Sequence, residues 1–585
     1  MLLRKIRFFR AALTAGLVLL HIPGRTQTSS QVTLQYNRYY DYPEVVEALR
    51  TLQARNPRFM RMESMGKSVQ GRDMWVVILN NPDTGNEPDK PAMYIDANIH
   101  GNEVQGTEVI LYTIDYLLHN YGKLDRVTEL LDHRVFYLIP MVNPDGRAHW
   151  FDREHMKGHT RTGMQPLDND NDGLLDEDGY DDLDGDGQIF QMRKKVSYGS
   201  YRKNREDPRL MERVPPGENG DYDLLGSEGI DNDGDGWINE DGPGGYDMNR
   251  NWPADWQPPY VQYGAGNYPL CYPETRSIAE FIMAHPNIAG VQSYHNSGGM
   301  ILRAPGSKDR EKFSQEDLRV YDYIGKKGEE MLPFYRYLIL WKDLYTVHGG
   351  FVNWTSEDLG IFSFTNELWS SLQYFNKPRQ TVPGEDRYRA YTRRQIERLK
   401  FDDLVEMGAR YSDWKPFRHP DFGEIEIGGW VRETNRVPPL FMLEELCHRN
   451  TVFTLFHADQ MPKVAIDSVE VVSLDKNLFQ VRVTVSNERV IPTISAQARK
   501  NRLFRPDILE IQGKGLRVVS AGHVQNRWLD RVDLVDKRPA RILLPEGIPG
   551  NRSRTVQFVI AGKGEGKILL DCVKGGKTIQ KFVLK

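Results

Sequence analysis

Apolar and polar positions follow two periods along this chain, and the change from one to the other divides it. In the longer N-terminal part, short continuous apolar runs alternate with stretches of helical spacing. Residues 74–79, 94–99, 135–139, 288–295 and 362–368 read as buried strands. Residues 39–54 read as an early helix. From Val104 onward Val109, Tyr112, Ile114 and Leu117 recur as one face of another. Strands alternating with helices predict an α/β sheet covered by helices on both faces. From about Lys463 the period drops to two. Phe479, Val481, Val483 and Val485 alternate with Gln480, Arg482 and Thr484, and Val556, Phe558 and Ile560 repeat the pattern. That spacing predicts an all-β sandwich over residues 463–585.

At 585 residues the chain has room for two or more domains. Arg4, Lys5, Arg7 and Arg10 precede an apolar run at 11–20, the signature of a secretory signal over residues 1–27. The run is short for a bilayer span and no second long one follows. The expectation is export to the periplasm or beyond, with no transmembrane anchor and no separate inhibitory propeptide. Three cysteines, Cys271, Cys447 and Cys572, allow one disulfide at most and fit no metal motif. The formal charge is −5, and near −10 without residues 1–27, which hold five basic and no acidic groups. Fifteen acidic groups, with no Lys or Arg among them, crowd into residues 168–186 and 231–241. The acidity is local and argues for cation binding. No basic stripe suggests nucleic acid.

The chemistry centres on His100 and Glu103, three apart where an apolar run meets a helix in Asn98-Ile-His100-Gly-Asn-Glu103. Such a pair can point at one ion, and a zinc that does chemistry wants N and O ligands with one position open. Downstream come Asn143-Pro-Asp-Gly146, Asp247-Met-Asn249-Arg250-Asn-Trp252, a second strand-end histidine at His295, Tyr345 before Gly349-Gly350, and Glu367 at the end of an apolar run. In this order the motifs resemble the zinc carboxypeptidases of the carboxypeptidase A type, over roughly residues 35–410. The resemblance implies a mixed, mostly parallel eight-stranded sheet in a domain at 28–460. It implies one catalytic zinc held by His100, Glu103 and His295, with Glu367 as general base. Asn249 and Arg250 would grip a substrate's C-terminal carboxylate, Tyr345 would cap it, and Val352 would floor an apolar pocket. The substrate class implied is peptide or protein C-termini. An arginine polarising the scissile carbonyl is also implied. Arg161 is the first choice because it lies soon after Gly146, with Arg202 and Arg193 as the alternatives.

Residues 149–246 form an insertion rich in Asp, Asn and Gly. Asp168-Asn-Asp170-Asn-Asp172-Gly173 and Asp231-Asn-Asp233-Gly-Asp235-Gly236 present oxygens at alternate positions before a glycine, like the first half of a calcium loop. The closing glutamate is missing, since Gly179 and Gly242 occupy its place. The loops are therefore not EF-hands, and acids such as Asp176, Asp178 and Asp241 would complete them around Ca2+. Glu154, His155 and His159 lack a metalloprotease helix pattern and read as surface residues. Two rival readings stand beside an exopeptidase. One is a peptidoglycan peptidase or amidase on the same scaffold. The other is a non-catalytic, calcium-dependent binding protein, against which the intact His100, Glu103, His295 and Glu367 argue.

Overall fold

Eight strands build the central sheet in the spatial order Met60–Lys67, Asp73–Leu79, Val135–Ile139, Ala92–Ala97, Ile288–Asn296, Phe362–Leu368, Met300–Arg303, Arg336–Ile339. In this computed structural model, which describes residues 34–152, 161–377 and 387–585, the four middle strands run parallel to one another. Antiparallel pairs flank them. Burial explains the apolar runs: every residue of Ala92–Ala97, Val135–Ile139 and Ile288–Asn296 is buried, as a parallel sheet covered on both faces requires. Tyr94, Tyr137 and Ile139 join Ile278 and Ile282 of the helix Pro273–Ala284 in one core. Successive residues point to opposite faces. Met93 and Ile95 therefore face the other layer, where the helices Gln105–Asn120 and Leu443–Asp459 pack.

The early helix runs Tyr42–Arg55, later than its apolar spacing suggests, because Asp41 caps it. The Asp41 carboxylate accepts from Glu44 N at 2.8 Å and the Glu44 carboxylate accepts from Asp41 N at 3.0 Å. These two bonds satisfy orphan donors that would otherwise lack partners.

The insertion is more than an acidic loop. Gln191–Gly199, Gly220–Ser227, Tyr201–Lys203 and Met211–Arg213 join Tyr411–His419 and Gly423–Trp430 in a six-stranded antiparallel sheet. Phe190, Met192, Ile425 and Ile427 form its small core. Beyond Lys463, a five-stranded and a four-stranded antiparallel sheet face each other. Phe479, Val481, Val483 and Val485 of one meet Leu509, Ile511, Ile568 and Leu570 of the other. The two-residue alternation is thus the inner face of a sandwich. All three cysteines are free. Among the described residues no helix is long and apolar enough to cross a membrane. The basic-then-apolar start and Glu154, His155 and His159 lie outside the described residues.

Candidate metal centre and substrate cleft

The strand Ala92–Ala97 ends at Asn98, whose φ of 59° turns the chain left-handed. Asparagine tolerates this region because its side chain can bond locally. Here Asn98 Nδ2 donates to the carbonyls of His100 at 2.7 Å and Gly101 at 3.2 Å, wrapping the loop that carries His100 and Glu103. The helix Gln105–Asn120 then starts at once. Its Gly106 lies so close to Ala97 and Tyr294 that a Cβ would stand 2.8 Å from the Cβ of each. Arg147, fully buried, ties this helix start to the N-terminal segment: it pairs with Glu108 at 2.7 Å and donates to Val104 O and Tyr40 O.

Three sequence-distant groups meet at this corner. His100 Nδ1 lies 3.0 Å from Glu103 Oε1, His295 Nδ1 lies 2.9 Å from Glu103 Oε2, and the two Nδ1 atoms are 3.2 Å apart. All three residues are buried. Ligands at ~2.0–2.2 Å around a tetrahedral zinc stand ~3.3–3.6 Å from one another, so small movements would seat the ion. The donor set, two imidazoles and one carboxylate, is one that zinc takes. His100 Nε2 is held by Asp247 Oδ1 at 3.0 Å, the kind of outer partner that fixes a ligand imidazole's tautomer. Burial pushes the Glu103 carboxyl up, but His100 and His295 outweigh it and hold the group well below its ordinary value.

The motif Asn143-Pro-Asp-Gly146 works as a bracket. Asn143 Oδ1 caps the helix Pro144–Phe151 by accepting from Gly146 N at 2.8 Å, and its Nδ2 donates to Thr162 O at 2.8 Å. Gly101 N donates to Arg161 O at 3.0 Å. Arg161 is thereby fixed beside the cluster. Its Nη1 meets Glu103 Oε1 at 2.9 Å, and its Nε and Nη2 both reach Asp247 Oδ2 at 3.2 Å. The competing arginines go elsewhere. Arg193 pairs with Glu426 and lies over the rings of Tyr222 and Trp414. Arg202 pairs with Glu212 and Glu218, lining a separate cavity of about 960 Å3.

Asp247 also caps the short turn Met248–Arg250, accepting from Asn249 N at 2.8 Å. Burial raises the Asp247 carboxyl, yet Arg250, His100 and Arg161 hold it well below the ordinary range. Arg250 Nη1 stands 3.9 Å from Asp247 Oδ2. Asn249 Nδ2 lies 3.5 Å from His295 Nε2, and its Oδ1 accepts from Phe351 N at 2.8 Å. Gly349, with φ of 62°, lets its loop approach so closely that a Cβ would sit 2.1 Å from Arg250 O. Tyr345, exposed, lies within electrostatic reach of Arg161. Val352 is buried against Leu302 and Leu340.

Glu367 pairs across the sheet ladder with His295 itself, which puts the carboxylate beside the cluster. Burial and the Glu103 charge push its carboxyl up to about 7, against the pull of His295, Arg161 and Arg436. Two residues around this centre, Asp247 and Arg436, were not foreseen as site residues. Asp247 stood inside a recognised motif, and its spacing to Asn249 could have marked it. Arg436, whose Nη1 donates to Asn296 O at 3.4 Å, had no local signal.

The Zinc carboxypeptidase family model matches residues 45–390, and a domain-of-unknown-function model matches residues 463–583. Carboxypeptidase D of Rattus norvegicus is 35% identical over 144 residues, which cover 24% of this chain and 10% of that protein. A zinc carboxypeptidase of Saccharothrix mutabilis subsp. capreolus is 33% identical over 111 residues, 19% of this chain and 25% of that one. The chain thus spans a small part of these relatives' length. Among solved structures, thrombin activatable fibrinolysis inhibitor aligns over 74% of this chain and 79% of its own, at 18% identity and a TM-score of 0.44.

Proposed function

The chain belongs to the zinc carboxypeptidase family, and from that premise we propose that it is a metallocarboxypeptidase that removes C-terminal residues from peptides or proteins. The observation that carries this reading is the convergence of His100, Glu103 and His295 with Glu367 directly across the ladder from His295. The two Nδ1 atoms and the Glu103 carboxylate would hold zinc. Bound zinc supplies a Lewis acid that polarises a carbonyl and makes a water acidic near pH 7. Glu367 takes the proton of the attacking water on its carboxylate and returns it to the leaving amine. Arg161 turns its guanidinium toward the scissile carbonyl while Asp247 balances its charge. Arg250 and Asn249 receive the terminal carboxylate, for which a guanidinium fork is the fitting partner. Tyr345, exposed on its loop, closes over that carboxylate. Val352, among leucines, supports an apolar C-terminal side chain. The basic-then-apolar start supports export.

The test uses purified, zinc-loaded chain against blocked dipeptides ending in Phe, Leu or Lys, the same peptides amidated, and muropeptides. Cleavage of the free acids alone is expected, with Phe and Leu preferred. Glu367→Gln keeps the shape and removes the proton acceptor. Its turnover should fall ~10²-fold or more while zinc stays at one per chain. Equal cleavage of amidated and free peptides, or near-normal turnover in Glu367→Gln, rejects the reading.

A further inference from the structure

The insertion contains two acidic loops that repeat each other in order: Asp168, Asp170, Asp172, Glu177 and Asp178 in the first answer to Asp231, Asp233, Asp235, Glu240 and Asp241 in the second. The structure joins them back to back through an antiparallel bridge between Asp178 and Asp241. The exchange across that bridge is reciprocal. Asn169 Nδ2 of the first loop donates to Asp241 Oδ1 at 2.6 Å, and Asn232 Nδ2 of the second donates to Asp178 Oδ1 at 3.0 Å.

Asp178 and Asp241 are both 0% exposed, and the second oxygen of each, Oδ2, finds no hydrogen-bond donor. A buried carboxylate oxygen without a donor or cation is costly. Each of these acids points at the other loop's ligand row. Carboxylate oxygens of Asp168, Asp170 and Asp241 lie within 4.8 Å of one another, and so do those of Asp178, Asp233 and Glu240. Oxygens gathered this closely can reach one calcium ion, whose bonds run ~2.3–2.6 Å. The acid absent from the end of each loop is therefore supplied by its twin. The buried Glu228, near Asp182 and Asp184, has both oxygens bonded to backbone N–H groups of Phe190 and Leu183, so that group holds no unpartnered buried carboxylate oxygen of the kind seen in Asp178 and Asp241.

We infer that the paired loops bind two calcium ions as one interlocked unit, each ion held by one loop's own carboxylates and closed by the buried aspartate of the other. The unit's two outer ends lead to the cleft. Residues 161–167 enter the first loop from Arg161, and residues 242–247 leave the second toward Asp247. Asp176 Oδ1 clamps those ends together, accepting from Leu167 N at 3.2 Å and Gly244 N at 3.1 Å. Thr162 Oγ1 adds a bond to Pro243 O at 3.2 Å. Calcium therefore fixes the separation of Arg161 and Asp247, and with it the substrate-facing arginine. This last link rests on the proposed peptidase reading; calcium binding itself does not.

The test titrates the full, zinc-reloaded and calcium-depleted chain with terbium, a luminescent calcium substitute that the exposed Trp237 of the second loop can sensitise, and with calcium by calorimetry. Two ions per chain and calcium protection of the insertion from proteolysis are expected. Asp241→Asn should weaken one ion at least tenfold, and the Asp178→Asn/Asp241→Asn double variant should lose both while keeping its zinc. In the parent, calcium depletion should lower kcat/KM severalfold, reversibly. Absence of ion uptake at millimolar calcium, or unchanged uptake in the double variant, overturns the inference. The parent titration decides it even if a variant fails to fold. Normal calcium uptake in a chain that cleaves none of the peptides would instead reject the peptidase reading and leave the calcium unit standing.

Discussion

Asp247 serves several groups at once. It accepts from His100, faces Arg161 and Arg250, and caps the turn that presents Asn249. Asp247→Asn can keep the cap but removes the charge that steadies the ligand imidazole and balances two guanidinium groups. Zinc affinity is expected to drop ~10–100-fold, measured by competition with a chelating dye; unchanged affinity would show that His100 needs no such partner. Arg250 carries a different prediction. Arg250→Ala should cost on the order of 2–4 kcal/mol in transition-state binding for free-acid peptides, read as kcat/KM, and should leave zinc content alone. The convergence of His100, Glu103 and His295 was legible through the order of motifs and the family it resembles, since a His-x-x-Glu pair by itself is common by chance. The choice among arginines was not, since Arg161, Arg193 and Arg202 differ only in their partners. Glu426, Tyr222, Trp414, Glu212 and Glu218 claim the other two, and all of these are remote in sequence or in an insertion without a pattern to align.

At the scale of elements, the helix Gln105–Asn120 seats Glu103 by pressing Gly106 against two strands. Gly106→Ala would favour the helix intrinsically, yet its new methyl would meet Ala97 and Tyr294 at 2.8 Å. Overpacking of that kind costs ~1–3 kcal/mol. Thermal denaturation should show a lower midpoint, and zinc should be retained less well because Glu103 is displaced; a midpoint at or above the parent's would mean the helix can shift freely. Five of the eight strands of the central sheet were legible from largely apolar runs, since burial on both faces favours them; Met60–Lys67, Met300–Arg303 and Arg336–Ile339 were not. The six-stranded sheet was not. Gln191–Gly199 alternates burial irregularly, and while one partner, Gly220–Ser227, lies nearby, the other, Gly423–Trp430, lies beyond residue 410, outside any local window.

Over the whole molecule, residues Gln35–Lys585 form one compact unit, and the sandwich docks on the α/β layer through polar anchors. Ser495 Oγ donates to Gly360 O at 2.6 Å, the Asp317 carboxylate accepts from Ala496 N and Gln497 N at 3.0 and 2.8 Å, and Lys577 pairs with Asp89 at 2.6 Å. Lys574 enters the interface fully, donating to Ile288 O and lying over the Phe504 ring. Burial lowers its ammonium from 10.5 to about 7. Between those values the unfolded chain binds the extra proton, so this group makes stability rise with pH across the window and weakest below pH 7. Lys574→Met should remove that slope and raise stability at neutral pH. Denaturant titrations at pH 7, 8, 9 and 10 check it, and parallel curves for parent and variant would contradict it.

The central ladder has a consequence for the chain while it is being made. The strand Ile288–Asn296 is seated between Ala92–Ala97 and Phe362–Leu368, and the cluster draws on positions 100, 103, 247, 295 and 367. A chain synthesised from its N-terminus therefore holds no assembled cluster until residue 368 has emerged and its strand has zipped into place. Under the peptidase reading, the order of synthesis is itself a timer: the cell that makes the enzyme is shielded from a working cutter for as long as the chain is incomplete.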